Sequence, residues 1–286
     1  DMIHAVTDGT SYLGNEDRFG YSGGAAWVLD GATDISGIKL EGRTAAWWLV
    51  EAYQAELQNC AGHGAAEEPF DLVTRVALGA RHRLHTRFGT ASPAIATALE
   101  QASTALSLVR RVNGSWNVIS FADCPVLYRD PVTGQVNIVF NEGFTPVERR
   151  SLEALKEAQL REPNASLARL SELTRPVLKE NRAMMNTEKG YAIGAIQPPP
   201  RALVHQYRLP EGVEAFVILS DGFSRWYDVF ELGSPEELFQ RTAAGEASQV
   251  LAELRAAERD DPEGRRYPRF KTHDDATCLY AKVDAL

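Results

Sequence analysis

Amphipathic helices occur in pairs in this chain of 286 residues, and the pairs separate blocks of short, apolar strands. Apolar residues recur at helical spacing over residues 41–60 and 69–88, and again in two charged stretches over 145–161 and 166–182. Strands dominate the region between them, where an Asn-Gly turn at 113–114 marks a β-hairpin. A doubly wound parallel sheet requires single crossover helices. This order therefore predicts an α+β fold built on antiparallel sheets.

Local signals refine some of these elements. Pro176 is expected to kink or end the helix that contains it. Strands are expected at 202–209 and 215–222, the second of which stops at an Asp-Gly dipeptide. Ser234 is expected to cap a helix that has Pro235 in its first turn.

Three acidic sites adjoin apolar runs that lie far apart in the chain. The run at 27–29 stops at an Asp-Gly dipeptide at 30–31, the same dipeptide returns at 221–222, and an acidic pair at 274–275 precedes the last run. Glycine at such a strand end lets other groups approach the backbone closely. Taken singly, each site is better explained by an ordinary turn. Taken together, they suggest that the fold assembles one cluster of oxygen ligands for divalent metal ions.

The composition favours a globular protein of the cytoplasm. A net charge of −9 argues against a general nucleic-acid surface, because a phosphate backbone requires a basic footprint. Neither a long apolar run nor a signal-peptide pattern is visible, so no membrane span or membrane partner is expected. The widely spaced Cys60, Cys124 and Cys278 fit neither a zinc pattern nor a disulfide framework. We therefore expect reduced thiols.

Two other hydrolase classes have less support. The segments VTDGT and VLDGAT are similar to those of haloacid-dehalogenase phosphatases, but Val6 and Val28 stand where that family has its nucleophilic aspartate. No G-x-S-x-G elbow, phosphate-binding loop or G-x-G-x-x-G pattern occurs in the sequence. A two-metal site needs no covalent nucleophile, and its natural reaction is the hydrolysis of phosphate esters.

Five short motifs occur in the order and spacing of a known family. They are NEDRFG at 15–20, WVLDG at 27–31, SFADCPVLYRD at 120–130, VILSDGFS at 217–224 and HDDATCLY at 273–280. On these motifs the chain resembles the metal-dependent protein phosphatases, the protein phosphatase 2C-like group, over nearly its whole length. The resemblance implies one catalytic domain over residues 1–286, with four αββα layers in which a central antiparallel β-sandwich is flanked by pairs of helices. It also implies two Mn²⁺ or Mg²⁺ ions, with a place for a third, that activate water or hydroxide to hydrolyse phosphoserine and phosphothreonine in proteins.

The same resemblance implies roles for seven residues. The metal ligands that it implies are Asp30 as the bridging residue, Gly31 through its carbonyl oxygen, Asp221 and Asp274 as terminal ligands, and Asp123 for a third, weaker ion. Glu16 and Asp17 resemble the acidic pair that holds metal-bound water, and they are the catalytic candidates.

The sequence departs from the family pattern in two places. Many members have His or Met and then two glycines after the first Asp-Gly, whereas this chain has residues 32–35, Ala-Thr-Asp-Ile. A histidine that some members use as a general acid is therefore absent. Tyr12 stands where animal members have an arginine that grips the phosphate. The candidate substitutes are Arg18, Lys39, Arg43 and Arg182.

The retained acids favour an active phosphatase whose partner is a phosphorylated protein. A catalytically weak, phosphatase-like regulatory or binding module is an alternative, because the loop after Gly31 is altered. A phosphomonoesterase for small molecules is another. Residues 141–200 are expected to form a helical cap or flap within the same domain, either contacting the substrate or only packing at the surface. The sequence predicts no oligomeric state.

Overall fold

A computed structural model describes residues 2–10, 14–60, 67–89 and 92–286, and two antiparallel sheets of five strands form its centre. The first sheet contains, in spatial order, β1 (Ile3–Asp8), β12 (Ala276–Lys282), β11 (Ala215–Leu219), β8 (Val126–Arg129) and β9 (Val136–Val139). The second contains β10 (Gln206–Arg208), β7 (Ser115–Phe121), β6 (Thr104–Val112), β3 (Ala25–Gly31) and β2 (Asp17–Ser22). Two short strands, β4 (Lys39–Leu40) and β5 (Arg43–Thr44), pair only with each other.

Eight helices flank these sheets in the part of the chain that the structure describes. They are α1 (Ala45–Cys60), α2 (Pro69–Phe88), α3 (Pro93–Gln101), α4 (Thr145–Arg161), α5 (Leu167–Ala183), α6 (Asp221–Asp228), α7 (Pro235–Ala243) and α8 (Ala247–Asp260). Helices α1, α2 and α3 pack on the second sheet, and α6, α7 and α8 pack on the first. The predicted order of αββα layers is therefore confirmed. None of the described helices combines the length and the apolar character that crossing a bilayer requires.

Helix starts follow the local sequence. Pro69, Pro93 and Pro235 each occupy the first turn of a helix, where a fixed φ is favourable and a missing N–H costs nothing. The Ser234 side chain accepts a hydrogen bond from the backbone N–H of Glu237 at 3.1 Å, so the predicted cap of α7 is confirmed.

Strand alternation divides the apolar residues between two kinds of core. In β3, Ala26 and Val28 belong to the core between the sheets, whereas Trp27 and Leu29 belong to the core under α1 and α2. The strand is buried on both faces, which explains its continuous apolar run. Because side chains alternate with a period of two, Asp30 lies on the same face as Val28, toward the space between the sheets.

Three predicted elements differ from the structure. Pro176 does not end α5, which continues to Ala183; one missing hydrogen bond is tolerated because α5 packs along α4 on both sides of the proline. Only Gln206–Arg208 of the strand predicted at 202–209 forms, since this edge strand pairs with β7 alone. The segment after β11 is not a strand end followed by a turn, because Asp221 is the first residue of helix α6.

Helices α4 and α5 form a pair of their own, beside the four layers. Their small core consists of Leu155, Ala158 and Leu170, with Phe270 packed against it. The three cysteines are buried and unpaired, as predicted.

Candidate metal centre

A cavity of about 510 Å³ lies between the strand ends of the two sheets and the helix pair α4–α5. Five of the predicted site residues line it, namely Asp30, Gly31, Asp123, Asp221 and Asp274. Glu16 and Asp17 are not part of the lining. The fold thus brings together acidic residues from four separate motifs.

Asp17 and Asp30 face each other across the neighbouring strands β2 and β3. Asp17 is 1% exposed, and its Oδ2 accepts a hydrogen bond from the Thr277 hydroxyl at 2.8 Å. Its Oδ1 is buried and has no hydrogen-bond partner among the described residues. Burial raises the pKa of Asp17 to about 7, and burial together with the charges of Asp17 and Asp221 raises the pKa of Asp30 well above its usual value. No Lys, Arg or His of the described residues forms an ion pair with Asp17 or Asp30; Arg225 and Lys271 act on Asp30 only from a greater distance.

The glycines of the two Asp-Gly dipeptides permit close packing around the site. A Cβ atom on Gly31 would lie 3.0 Å from the Glu16 Cβ and 3.1 Å from the Glu16 carbonyl oxygen. A Cβ atom on Gly222 would lie 3.0 Å from the carbonyl carbon of Asp275 and closer still to its oxygen. The expectation that other groups approach the backbone at these glycines is therefore confirmed.

Glu16 is held beside the carboxylate cluster by fixed partners. Its backbone N–H donates to Asp275 Oδ2 at 2.7 Å, its carbonyl accepts from the Gly31 N–H at 3.0 Å, and its carboxylate accepts from the Thr44 hydroxyl. Burial raises the pKa of Glu16, while the Thr44 hydrogen bond opposes that rise. Asp275 also accepts from the Thr10 N–H at 2.9 Å, so it anchors the segments on either side of residues 11–13.

Asp221 and Asp274 lie among positive charges. Arg225 stands one turn after Asp221 in α6, and its guanidinium is 2.7 Å from Asp274 Oδ2 and 3.9 Å from Asp221 Oδ2. The Lys271 Nζ is 2.8 Å from Asp274 Oδ1. Burial works against ionisation, but Lys271 and Arg225 hold the pKa of Asp274 below its usual value. Neither cation was predicted from the sequence. The spacing of four residues between Asp221 and Arg225 indicates a contact only once both are known to lie in helix α6.

Asp123 occupies the turn after β7, next to Ala122, whose φ is +58°. Burial, Asp221 and Glu148 raise the pKa of Asp123 well above its usual value. Glu148 comes from α4, and its own pKa is raised by burial and by the charge of Asp221. The helix pair thus adds a carboxylate that no strand-end pattern indicated.

The donor chemistry of this cluster fits Mg²⁺ or Mn²⁺, which prefer carboxylate and carbonyl oxygens. The unpartnered Oδ1 of Asp17 and the raised pKa of Asp30 both indicate a place where a cation would be favourable. As the side chains stand, however, no three His, Cys, Asp or Glu residues of the described segments converge closely enough to enclose an ion. Asp274 is instead paired with Arg225 and Lys271. Small side-chain movements would be needed to complete an ion's ligand set.

Of the four residues predicted as candidates for binding the substrate phosphate, Arg182 is the one that lines the cavity. Its guanidinium donates to the Thr33 carbonyl at 2.7 Å, and it forms no ion pair with a carboxylate of the described residues. Arg18 is instead paired with Glu51 at 2.5 Å. The other two are Lys39, whose Nζ is 3.5 Å from Asp34, and Arg43, which lies over the Trp47 ring at 5.2 Å.

The loop that departs from the family pattern forms one wall of the cavity. Residues 32–35 and Gly37 line it, and the Asp34 carboxylate accepts hydrogen bonds from the Ser36 N–H at 3.0 Å and the Gly37 N–H at 3.2 Å. Another wall comes from the region 141–200, which contributes residues of α4 and α5 together with Tyr191 and Ile193. Tyr12 lies outside the described residues.

Sequence comparison and structure comparison give different results for this chain. No protein-family model matches the sequence, and no curated protein sequence matches it. The serine/threonine phosphatase PstP of Mycobacterium tuberculosis matches in structure with a TM-score of 0.56 at 13% identity, covering 98% of this chain and 97% of that chain. The catalytic domain of PstP in complex with two manganese ions gives 0.55 at 13% identity, with 98% and 97% covered. Phosphatase Stp1 of Staphylococcus aureus gives 0.53 at 11% identity, with 98% and 94% covered. The chain therefore has the fold of these proteins, as its motifs predicted.

Proposed function

We propose that this protein, whose fold is that of serine/threonine phosphatases, hydrolyses phosphoserine and phosphothreonine in proteins with divalent Mn²⁺ or Mg²⁺ as its cofactor. The observation that supports this most is the convergence of Asp30, Asp123, Asp221 and Asp274 on one cavity. The two manganese ions of the PstP complex support a two-ion cofactor for the same fold.

The proposed reaction uses the residues around Asp30. Ions held by Asp30, the Gly31 carbonyl, Asp221 and Asp274 would lower the pKa of a water molecule and polarise the phosphoryl group. Asp17 can accept a hydrogen bond from the attacking water through its unpartnered Oδ1 and so orient it. Glu16, fixed by Thr44 and by Asp275, keeps the backbone of Gly31 in place. The loop at 32–37 contains no histidine, so water must protonate the leaving serine or threonine oxygen.

Arg182 is the residue that we propose binds the substrate phosphate. It lies in the cavity and forms no ion pair with a carboxylate of the described residues, although Asp34 and Glu16 act on it from a greater distance. Burial lowers its pKa, which reflects a guanidinium deprived of water. A phosphate dianion would restore both the counter-charge and the hydrogen bonds of such a group. Its hydrogen bond to the Thr33 carbonyl fixes its position relative to the strand that carries Asp30.

The test is the hydrolysis of phosphothreonine and phosphoserine peptides by the purified chain, with and without Mn²⁺. The matched variants are Asp30→Asn in the cavity and Asp130→Asn in the exposed β8–β9 turn, which remove the same charge. We expect Mn²⁺-dependent hydrolysis that Asp30→Asn lowers by about a thousandfold and Asp130→Asn leaves intact.

Other outcomes separate the alternatives. Hydrolysis of small phosphomonoesters without hydrolysis of any phosphopeptide would favour the small-molecule enzyme. Mn²⁺ binding without turnover on any phosphoester would favour the regulatory or binding module. No activity above that of Asp30→Asn on any substrate would refute the proposed function.

A further inference from the structure

The carboxylate cluster has two halves, Asp221 with Asp274 and Asp17 with Asp30. The first half already contacts positively charged side chains of the protein. Both oxygens of Asp274 are occupied, Oδ2 by Arg225 at 2.7 Å and Oδ1 by Lys271 at 2.8 Å and by the Asp275 N–H at 3.1 Å. Asp221 lies 3.9 Å from the same guanidinium. These contacts place two positive charges where a terminal metal ion would need the same oxygens.

Arg225 is buried beside Asp274 and Asp221. It is 8% exposed, it projects from the first turns of α6, and its second terminal nitrogen is buried without a hydrogen-bond partner among the described residues. Lys271 comes from the segment before β12, and its side chain is 39% exposed. Both side chains line the cavity. Lys271 can therefore move into solvent, whereas Arg225 has little freedom to leave.

In the other half the described residues form no such direct contact, although the charges of Arg225 and Lys271 act on Asp30 from a greater distance. Among the described residues, no Lys, Arg or His forms an ion pair with Asp17 or Asp30. The two carboxylates occupy paired positions on adjacent strands, and Asp17 Oδ1 is buried without a partner. A divalent ion entering here displaces no protein cation.

We infer, on the basis of the proposed function, that the two halves bind metal unequally. The half with Asp30 and the Gly31 carbonyl, where Asp17 lies opposite to hold a water of the ion, takes one divalent ion tightly. Arg225 and Lys271 are tethered cations that compete with a second ion for Asp274 and Asp221. The second ion binds only when Lys271 releases Asp274. Separating this opposite-charge pair, and bringing a cation next to Arg225, costs Coulomb energy at short range in a partly buried site. Arg225 and Lys271 thereby determine whether the protein binds one or two metal ions at a given metal concentration.

The experiment is a titration of the metal-free full chain with Mn²⁺, followed by calorimetry and by electron paramagnetic resonance. For the wild type we expect one tight site and a second that is weaker by about tenfold or more. At one equivalent the spectrum should be that of an isolated Mn²⁺ ion, without the splitting of a coupled pair. Lys271→Met should tighten the second site by about tenfold and produce the coupled spectrum at two equivalents.

Lys179→Met is the matched control, because Lys179 lines the same cavity and forms no ion pair among the described residues. It should leave both affinities unchanged. Arg225→Met should act in the same direction as Lys271→Met, with circular dichroism reporting whether this buried position still folds.

Two equally tight ions in the wild type, or equal effects of Lys271→Met and Lys179→Met, would overturn the inference. If the wild type nevertheless hydrolyses phosphopeptides with Mn²⁺, the proposed function stands. A wild type that binds no Mn²⁺ at all would overturn both.

Discussion

The two Asp-Gly dipeptides of this chain are alike in sequence and different in structure. Asp30 lies at the end of strand β3, opposite Asp17, and forms no ion pair with a described Lys, Arg or His. Asp221 begins helix α6 and has Arg225 one turn away. The comparison shows that an acidic strand-end signal indicates where a carboxylate lies but not the charge that surrounds it.

The glycines of the two dipeptides differ in the same way. At Gly31 the nearest atoms are the side chain and carbonyl of Glu16 and the Val50 methyl group, all at 3.0 Å or more. At Gly222 the nearest atom is a backbone carbonyl oxygen of Asp275, well inside van der Waals contact of a built Cβ. The Glu16 and Val50 side chains beside Gly31 can move by a few tenths of an ångström. The backbone of Asp275, just before β12, cannot move without disturbing the neighbouring Asp274.

The largest expected effect is the loss of activity when Asp30 is replaced. Asp30→Asn should lower kcat/KM for a phosphopeptide by about a thousandfold, because it removes the proposed bridging ligand. Asp221→Asn should cost about tenfold at saturating Mn²⁺, since Arg225 and Lys271 already supply charge in that half. Steady-state kinetics checks both values. Equal losses in the two variants would remove the functional difference between the dipeptides.

Stability should distinguish the two glycines. Gly222→Ala should lower the free energy of unfolding by about 3 kcal/mol, because the added methyl group overlaps backbone that has no room to relax. Gly31→Ala should cost about 1 kcal/mol, since its neighbours at 3.0–3.1 Å need only small shifts. Urea denaturation of both variants measures this. A Gly222→Ala protein as stable as the wild type would show that the segment around Asp275 moves freely, and the gain in helix propensity of alanine would then be visible.

The pH dependence of stability should differ between the halves in the metal-free protein. The pKa of Asp17 in the folded state, about 7, lies above its unfolded value, so the folded state binds the extra proton and loses stability as pH rises toward 8. The wild type in a chelator should therefore lose roughly 1–3 kcal/mol of unfolding free energy between pH 5 and pH 8 relative to Asp17→Asn. Excess Mg²⁺ should abolish that loss.

Asp274 supplies the opposite control for this measurement. Its folded pKa is lowered, so it stabilises the fold above its unfolded pKa, and that contribution disappears only as pH falls through the folded pKa. Asp274→Asn should leave the decline between pH 5 and pH 8 in place. An Asp17→Asn protein with the same decline as the wild type would argue that other groups cause it.

The smallest expected effect concerns the cavity wall next to Asp30. Arg182→Met should raise KM for a phosphopeptide by about tenfold with a smaller change in kcat, because a phosphate ligand is lost while the carboxylates remain. Arg175→Met is the matched control, since Arg175 lines the same cavity from the same helix. An unchanged KM in Arg182→Met would move the phosphate contact to another residue.

Much of the fold could be predicted because it depends on local regularities. The continuous apolar run of β3, the helical stripe of α2 and the Ser234 cap each depend on residues that are close together in the sequence. The helix at Asp221 was missed because its eight residues follow a strand directly and contain glycine, which disfavours helix interiors. The strand at 202–209 was overestimated because an edge strand forms only where its partner continues.

The sequence by itself determined the antiparallel sheets with flanking helices and the placement of acidic residues at strand ends, because both follow from short-range periodicity and turn chemistry. Only the tertiary structure decided which charges meet. Arg225 reaches Asp274 across 49 residues, and Arg182 reaches Thr33 across 149. Such contacts depend on how the sheets pack and how α5 crosses the cavity, so no local pattern encodes them. The carboxylates are a property of the sequence, whereas the direct ion pairs of Asp274, and their absence at Asp30 among the described residues, are a property of the fold.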